Sequence, residues 1–411
     1  MVGQARDILD ISPLTVSSAG KSCSSGGVAL FPIILEPGQV NEGNTVNHLK
    51  SLLHRETAHY LPCMDYLEAI ASSLQMSTFS SPSCRPTHTV KSGSPAESND
   101  AAAGKAIQVD RVNEAWRRKI CEWCFDVTDH FKLEREVVSV AMNYLDRMVA
   151  RMMHQDQSIG SGEIQISKRQ FQLVALTSLY IAMKLHGEVE EGQRLERCNL
   201  NVTVFVELSR GFFQAEAIEE MERNILFNLD WHLNPPTSLK FISLYMRLIP
   251  NWSGATYTDV TGPDENADPE LCRPFKTVFK AIFDIAMYLT ELSVCVSTLT
   301  FHSKNSIVAY AAILCAMEAL EVTLPIPYDA RLRFVNRMCE VTGMLPESKE
   351  VRCVRNLLCE LCPSIRNRDV ASLIMMGEQD DCGEFVKSSP TCVHQYVLED
   401  QNDLVHRQNP P

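Results

Sequence analysis

The stretch Gln172 to Met183 reads Gln-Leu-Val-Ala-Leu-Thr-Ser-Leu-Tyr-Ile-Ala-Met, and Ser306 to Met317 reads Ser-Ile-Val-Ala-Tyr-Ala-Ala-Ile-Leu-Cys-Ala-Met. They align without a gap. Leu173, Val174, Ala175, Leu179, Ala182 and Met183 meet Ile307, Val308, Ala309, Ile313, Ala316 and Met317 at a constant offset. One helix is therefore used twice, and two related domains share the chain. The copies diverge directly afterwards, where Lys184 meets Glu318. Similar local packing is expected for both, with Glu318 solvated.

A length of 411 residues suits two or three domains. No apolar run approaches the roughly 20 residues that cross a bilayer, and Val28 to Leu35 is broken by Pro32 and lacks a cleavage site. No membrane association and an intracellular location are expected. The fifteen cysteines are scattered, several at apolar helix positions such as Cys295, Cys315 and Cys339, which reads as reduced small hydrophobes. A net charge of −13 argues against a phosphate-dominated nucleic-acid binder and suits a protein partner with a basic surface.

Residues 1–44 mix Ser, Gly and Pro, and residues 76–108 are rich in Ser, Pro, Ala and Gly; composition predicts disorder in both. Between them, 45–75 carries Leu49, Leu52, Leu53, Leu61, Tyr66, Leu67 and Ile70 near helical spacing, with a break at Pro62. Five helical patterns fill 109–235: Ile120 to Val127, Val137 to Met148, Phe171 to Leu185, Val202 to Ser209 and Ala215 to Leu229. Pro235 and Pro236 close that domain. Thr237 is the expected N-cap of a second domain over 236–345, with an insertion at 250–270 and helices over Phe275 to Leu292, Ser306 to Leu320 and Asp329 to Thr342. Residues 363–411 form a polar tail expected to be disordered. The fold class is all-α.

Ala141-Met142-Asn143-Tyr144-Leu145-Asp146-Arg147, Arg117 one helix earlier and Lys184 at the end of the third helix now carry a resemblance, together with Tyr60-Leu61-Pro62 and Leu229-Asp230-Trp231. The chain resembles a cyclin with tandem five-helix cyclin boxes, from about Val46 to Val341. Tyr60-Leu61-Pro62, Arg117-Arg118 and Met142 to Arg147 lean toward D-type cyclins, although no Leu-x-Cys-x-Glu motif occurs. The resemblance implies a non-catalytic regulatory subunit that binds and activates a cyclin-dependent kinase in cell-cycle control, in nucleus and cytoplasm, without a cofactor. Lys184 and Glu222 fall on the family's kinase-contact positions. Trp116, Arg117, Ile120, Trp123, Asp126 and Gln172 fall on its docking patch for Arg-x-Leu substrate or inhibitor peptides, with Trp116 replacing a methionine and Lys119 an apolar residue.

The Cys-x-x-Cys pairs Cys121/Cys124 and Cys359/Cys362 imply no metal, because a spacing of three merely places two small residues on neighbouring helical faces. Ser-Pro dipeptides at Ser12, Ser81, Ser94 and Ser389 are candidate phosphorylation sites for proline-directed kinases, and Arg6-x-x-Leu9 resembles a minimal destruction box. The alternative function is a helical adaptor of the transcription machinery, which shares such a fold. That role needs a basic face, which an acidic chain opposes.

Overall fold

The computed structural model describes residues 42–78, 112–158, 166–187, 201–250, 252, 275–324 and 326–366. No strand lies among the described residues, and none of their helices is long and apolar enough to cross a membrane. Two helices come first, α1 (Glu42–His59) and α2 (Tyr66–Thr78). A first bundle follows, with α3 (Glu114–His130), α4 (Glu136–Ser158), α5 (Lys168–His186), α6 (Val202–Leu208) and α7 (Ala215–Asn228). The second begins with α8 (Ser238–Met246), α9 (Phe275–Cys295), the short α10 (Ser297–His302) and α11 (Asn305–Ala319). It continues through α12 (Tyr328–Thr342), α13 (Lys349–Leu361) and the single turn α14 (Pro363–Arg366).

The repeated segments are α5 and α11, and each is the centre of its bundle. Ser306 to Met317 is buried throughout, while Phe171 to Met183 is buried except at half-buried Leu173. A helix that is apolar all round must be enclosed; α5 accordingly packs on α4 and α7, and α11 on α9, α13 and α8. Local chemistry starts these helices. Ser167 and Gln170 form a reciprocal capping box ahead of α5, and the Thr237 hydroxyl accepts from Lys240 N at 3.3 Å to open α8, as its sequence predicts.

Two cores result, and the helices ahead of the first bundle cross between them. Leu49 and Leu52 of α1 lie in the second core, whereas Tyr66 and Ile70 of α2 lie in the first, which also takes Cys295 and Phe301 from the second bundle. Glu56 is the polar fixture of α1. Its carboxylate accepts from Ser306 N at 2.9 Å and from Ser306 Oγ at 2.5 Å, and burial pushes its pKa up.

Three boundaries differ from the sequence reading. α1 begins at Glu42, inside the segment that composition assigned to disorder, one turn ahead of the buried Thr45 and Leu49 that hold the helix. α2 runs to Thr78, past residue 75. The second bundle also continues beyond 345: Ser348 caps α13, and Val351, Val354 and Leu358 bury one stripe of it against α11. The expected insertion at 250–270 lies almost wholly outside the described residues.

Asp284 on α9 yields a pH test. Burial raises its carboxyl pKa from 3.8 to about 6, opposed by the weaker attraction of Lys280. A carboxyl raised on folding is destabilising above its folded pKa, and the cost fades as pH falls toward the unfolded value. Asp284→Asn should therefore stabilise the chain by about 3 kcal/mol at pH 8 and by about half of that at pH 5. Denaturant unfolding at the two pH values checks this, and an equal effect at both would contradict the assignment.

Candidate partner-binding surface

Lys184 stands in the last turn of α5 and Glu222 on the neighbouring face of α7. Their ion pair is direct, from Lys184 Nζ to Glu222 Oε1, and the ammonium lies 4.9 Å from the Tyr180 ring centroid. Burial acts to lower the Lys184 pKa, but the hydrogen bond and charge of Glu222 more than offset it, so the pKa is raised. The pair remains accessible, with side-chain exposures of 43% and 15%.

Beyond α7 the chain turns through a loop, 229–234, in which Asp230 and Trp231 adopt φ of 51° and 57°. Left-handed backbone costs a non-glycine residue roughly 1 kcal/mol or more, so it persists only where neighbours hold it. Several do. Arg147 Nη1 donates to His232 O at 2.9 Å, Tyr144 OH donates to Leu233 O, and His186 Nε2 lies 2.8 Å from the same carbonyl. From α1, the His59 ring stacks on His232 at 4.7 Å, and the Tyr60 hydroxyl accepts from Asn234 N at 3.2 Å.

This fixed loop presents Trp231, which is 69% exposed, beside Phe227 at 78%. Leu185, next to Lys184, and Leu61, next to Tyr60, are also exposed. Exposed apolar residues on these adjoining segments mark a candidate interaction surface. The sequence reading overlooked Phe227 and Leu185 as site residues. The signal for Phe227 was present, since the buried stripe of α7 runs Ile218, Ile225, Leu229 and Phe227 falls off it.

The residues assigned to peptide docking separate into two groups. Trp116 and Trp123 are half-buried and Asp126 is exposed, all along one stripe of α3; Lys168 Nζ lies 4.6 Å from the Trp116 ring centroid. Ile120 and Gln172 are buried beneath them. Arg117 is a correction: it is fully buried and points inward, so it offers nothing to a docked peptide. Its Nε and Nη2 donate to the two oxygens of Asp146 at 3.0 and 2.8 Å, Nη1 donates to Val294 O at 3.0 Å and Nη2 to Thr300 Oγ1 at 3.2 Å. Tyr66 OH donates to Asp146 Oδ1 at 2.9 Å. Desolvation acts to lower the Arg117 pKa, yet the charge and hydrogen bonds of Asp146 raise it well above the ordinary guanidinium value.

The second copy is built differently at the matching place. Glu318 is not simply solvated, as the sequence reading expected, because Arg355 of α13 and Arg331 of α12 both pair with it. At the repeat's offset Leu185 corresponds to Ala319; on α13 the mirrored ion pair aligns Arg355 with Glu222, one residue off that offset, so Phe227 meets Glu360 and Trp231 meets Ser364. Ala319 is buried, Glu360 is exposed and Ser364 is half-buried, next to Ile365 in the second core. In the second bundle the short α14 also packs against α11 and α13.

Cys121 and Cys124 lie in the first core, with Cys121 Sγ 3.3 Å from Cys295 Sγ, while Cys359 and Cys362 belong to the second. Burial pushes the Cys124 thiol pKa up. Ser12, Ser81, Ser94, Ser389 and Arg6-x-x-Leu9 lie outside the described residues.

Residues 96–234 match the family described as the cyclin N-terminal domain. The chain is 29% identical over 138 residues to the G1/S-specific cyclin-E of Caenorhabditis elegans, covering 34% of this chain and 23% of that one. It is 31% identical over 132 residues to Cyclin-D3-3 of Arabidopsis thaliana, covering 32% of each, and 24% identical over 262 residues to Cyclin-A1-2 of the same plant, covering 64% and 47%. A viral cyclin from herpesvirus saimiri is similar in structure at a TM-score of 0.39 and 14% identity, over 61% of this chain and 87% of that one. The chain thus spans between about a quarter and a half of the length of these curated relatives. Residues 96–234 thus carry a cyclin N-terminal domain, and the relatives of E, A and D type single out no one type.

The inward role of Arg117 has a measurable consequence. Arg117→Ala leaves the Asp146 carboxylate buried without its cation and should cost about 3 to 5 kcal/mol in denaturant unfolding. Asp126→Ala, on the exposed side of the same helix, should stay within about 0.5 kcal/mol of wild type.

Proposed function

We propose that the chain is a non-catalytic regulatory subunit that binds and activates a cyclin-dependent serine/threonine kinase through the open face of its first bundle. The observation that carries this reading is the accessible Lys184–Glu222 pair beside exposed Leu185, together with a loop held in left-handed backbone that presents Trp231. Activation is a population shift. The face holds the kinase's regulatory helix inward, so the arrangement in which the kinase's lysine and helix glutamate pair is favoured over the inactive one. A rigid, pre-formed loop supports such selection, because little ordering entropy remains to be lost on binding. Trp231 is the anchor, and Lys184 with Glu222 supplies polar registration. The reading places the protein in cell-cycle control, in nucleus and cytoplasm.

Two mutations test the face. Trp231→Ala should weaken kinase binding by about 2 kcal/mol or more, and Lys184→Glu, which sets a like charge against Glu222, by about 2 to 5 kcal/mol. Titration calorimetry against a panel of cyclin-dependent kinases reads both, with melting temperatures near wild type as the control for folding. Unchanged affinity in both variants would remove the proposed role of this face.

Substrate docking is proposed for the stripe of α3, with Trp116, Trp123 and Asp126 as its accessible groups. Trp116→Ala combined with Asp126→Ala should slow phosphorylation of a protein carrying an Arg-x-Leu segment about tenfold while leaving a short peptide substrate unchanged. If both substrates slow together, the stripe serves the fold alone.

A further inference from the structure

We infer that the second bundle governs the partner-binding loop of the first through α1, with Glu56 and Tyr60 as positioning residues at the two ends of one helical turn. The inference rests on the proposed kinase-binding face and adds a control element to it. α1 belongs to the second bundle by its packing, since Leu49 and Leu52 lie in the second core. Glu56 fastens it there: the carboxylate takes both the amide and the hydroxyl of Ser306, in the first turn of α11. Four residues later the same chain reaches the first bundle. The Tyr60 hydroxyl accepts from Asn234 N, and His59 stacks on His232, both in the loop that presents Trp231.

The coupling is short and stiff. Tyr60 N donates to Glu56 O at 3.1 Å, so one turn of helix, roughly 5 Å, separates the anchor from the loop contact. The loop needs outside support because two consecutive non-glycine residues in it hold left-handed backbone. Arg147 braces the same assembly, with its guanidinium 5.1 Å from the Tyr60 ring centroid and a hydrogen bond to His232 O. Releasing Glu56 frees the end of α1 to shift, and with it the acceptor at Asn234. Neither Glu56 nor Ser306 is exposed, so neither can touch a partner directly.

Hydrogen exchange of the free full-length chain, read by mass spectrometry, tests this together with kinase affinity. Glu56→Ala should speed exchange at residues 231–234 about tenfold, as expected for losing hydrogen bonds to a charged group, and should weaken kinase binding by a similar factor. Glu56→Gln should stay near wild type in both, because its amide can accept from Ser306 N and donate to Ser306 Oγ. Tyr60→Phe should speed exchange at Asn234 while leaving the start of α11 unchanged. Faster exchange at the start of α11 with wild-type exchange at 231–234 in Glu56→Ala would overturn the coupling. Should Glu56→Ala not fold, Ser306→Ala, which keeps the backbone bond, is read in the same way, with a smaller acceleration expected at 231–234 and wild-type exchange there overturning the proposal. A wild-type chain that binds no kinase would end the functional proposal but leave the exchange result to decide the coupling. Unchanged kinase affinity despite a loosened loop would overturn the claim that the second bundle governs the face.

Discussion

The ion pair between Arg117 and Asp146 is the constraint on which the arrangement of the molecule depends. A buried guanidinium and carboxylate each cost several kcal/mol to desolvate, and the pair is tolerable only when the remaining donors and acceptors are satisfied. Here they are satisfied by four different places in the chain. Asp146 belongs to α4, Val294 to α9, Thr300 to α10, and Tyr66 of α2 completes the carboxylate's partners. Any relative shift of the two bundles or of α2 would strand a charge. The cluster therefore specifies one docking of the bundles more strongly than its net stabilisation alone would require.

Around that joint, two related helical bodies carry ion pairs of reversed charge order at the ends of their central helices. The apolar centres α5 and α11 are nearly interchangeable, since both must be enclosed on every side. Their C-terminal ends are not. In the first body, a lysine pairs with a glutamate and the following loop turns aromatic groups outward; in the second, a glutamate pairs with two arginines and a final helical turn folds Ile365 into the core. These ends, rather than the central helices, distinguish the two bodies.

Much of this was legible in the sequence. The repeat located both central helices, Thr237 announced the start of α8, and the spacing of Val137, Ala141, Tyr144, Leu145 and Met148 described the buried stripe of α4. α13 was readable too, as Ser348 followed by Val351, Val354 and Leu358, but it lies beyond the stretch where the resemblance to a cyclin carried the reading. That omission explains the error over Glu318, whose partner Arg355 stands on α13. Arg117 misled for a different reason. Periodicity cannot reveal that an arginine among surface-type residues points inward, because its partners Asp146, Val294 and Thr300 are far away in sequence. Trp231 was noticed for its resemblance alone; its exposure follows from a left-handed turn that no nearby glycine signals.

If the open end of the first bundle is where a cyclin-dependent kinase sits, hydrogen exchange of the full chain with and without saturating kinase should show new protection at residues 184–186 and 222–234, and none at 318–324 or 349–366. Protection confined to the second bundle, or to the exposed stripe of α3, would contradict the assignment.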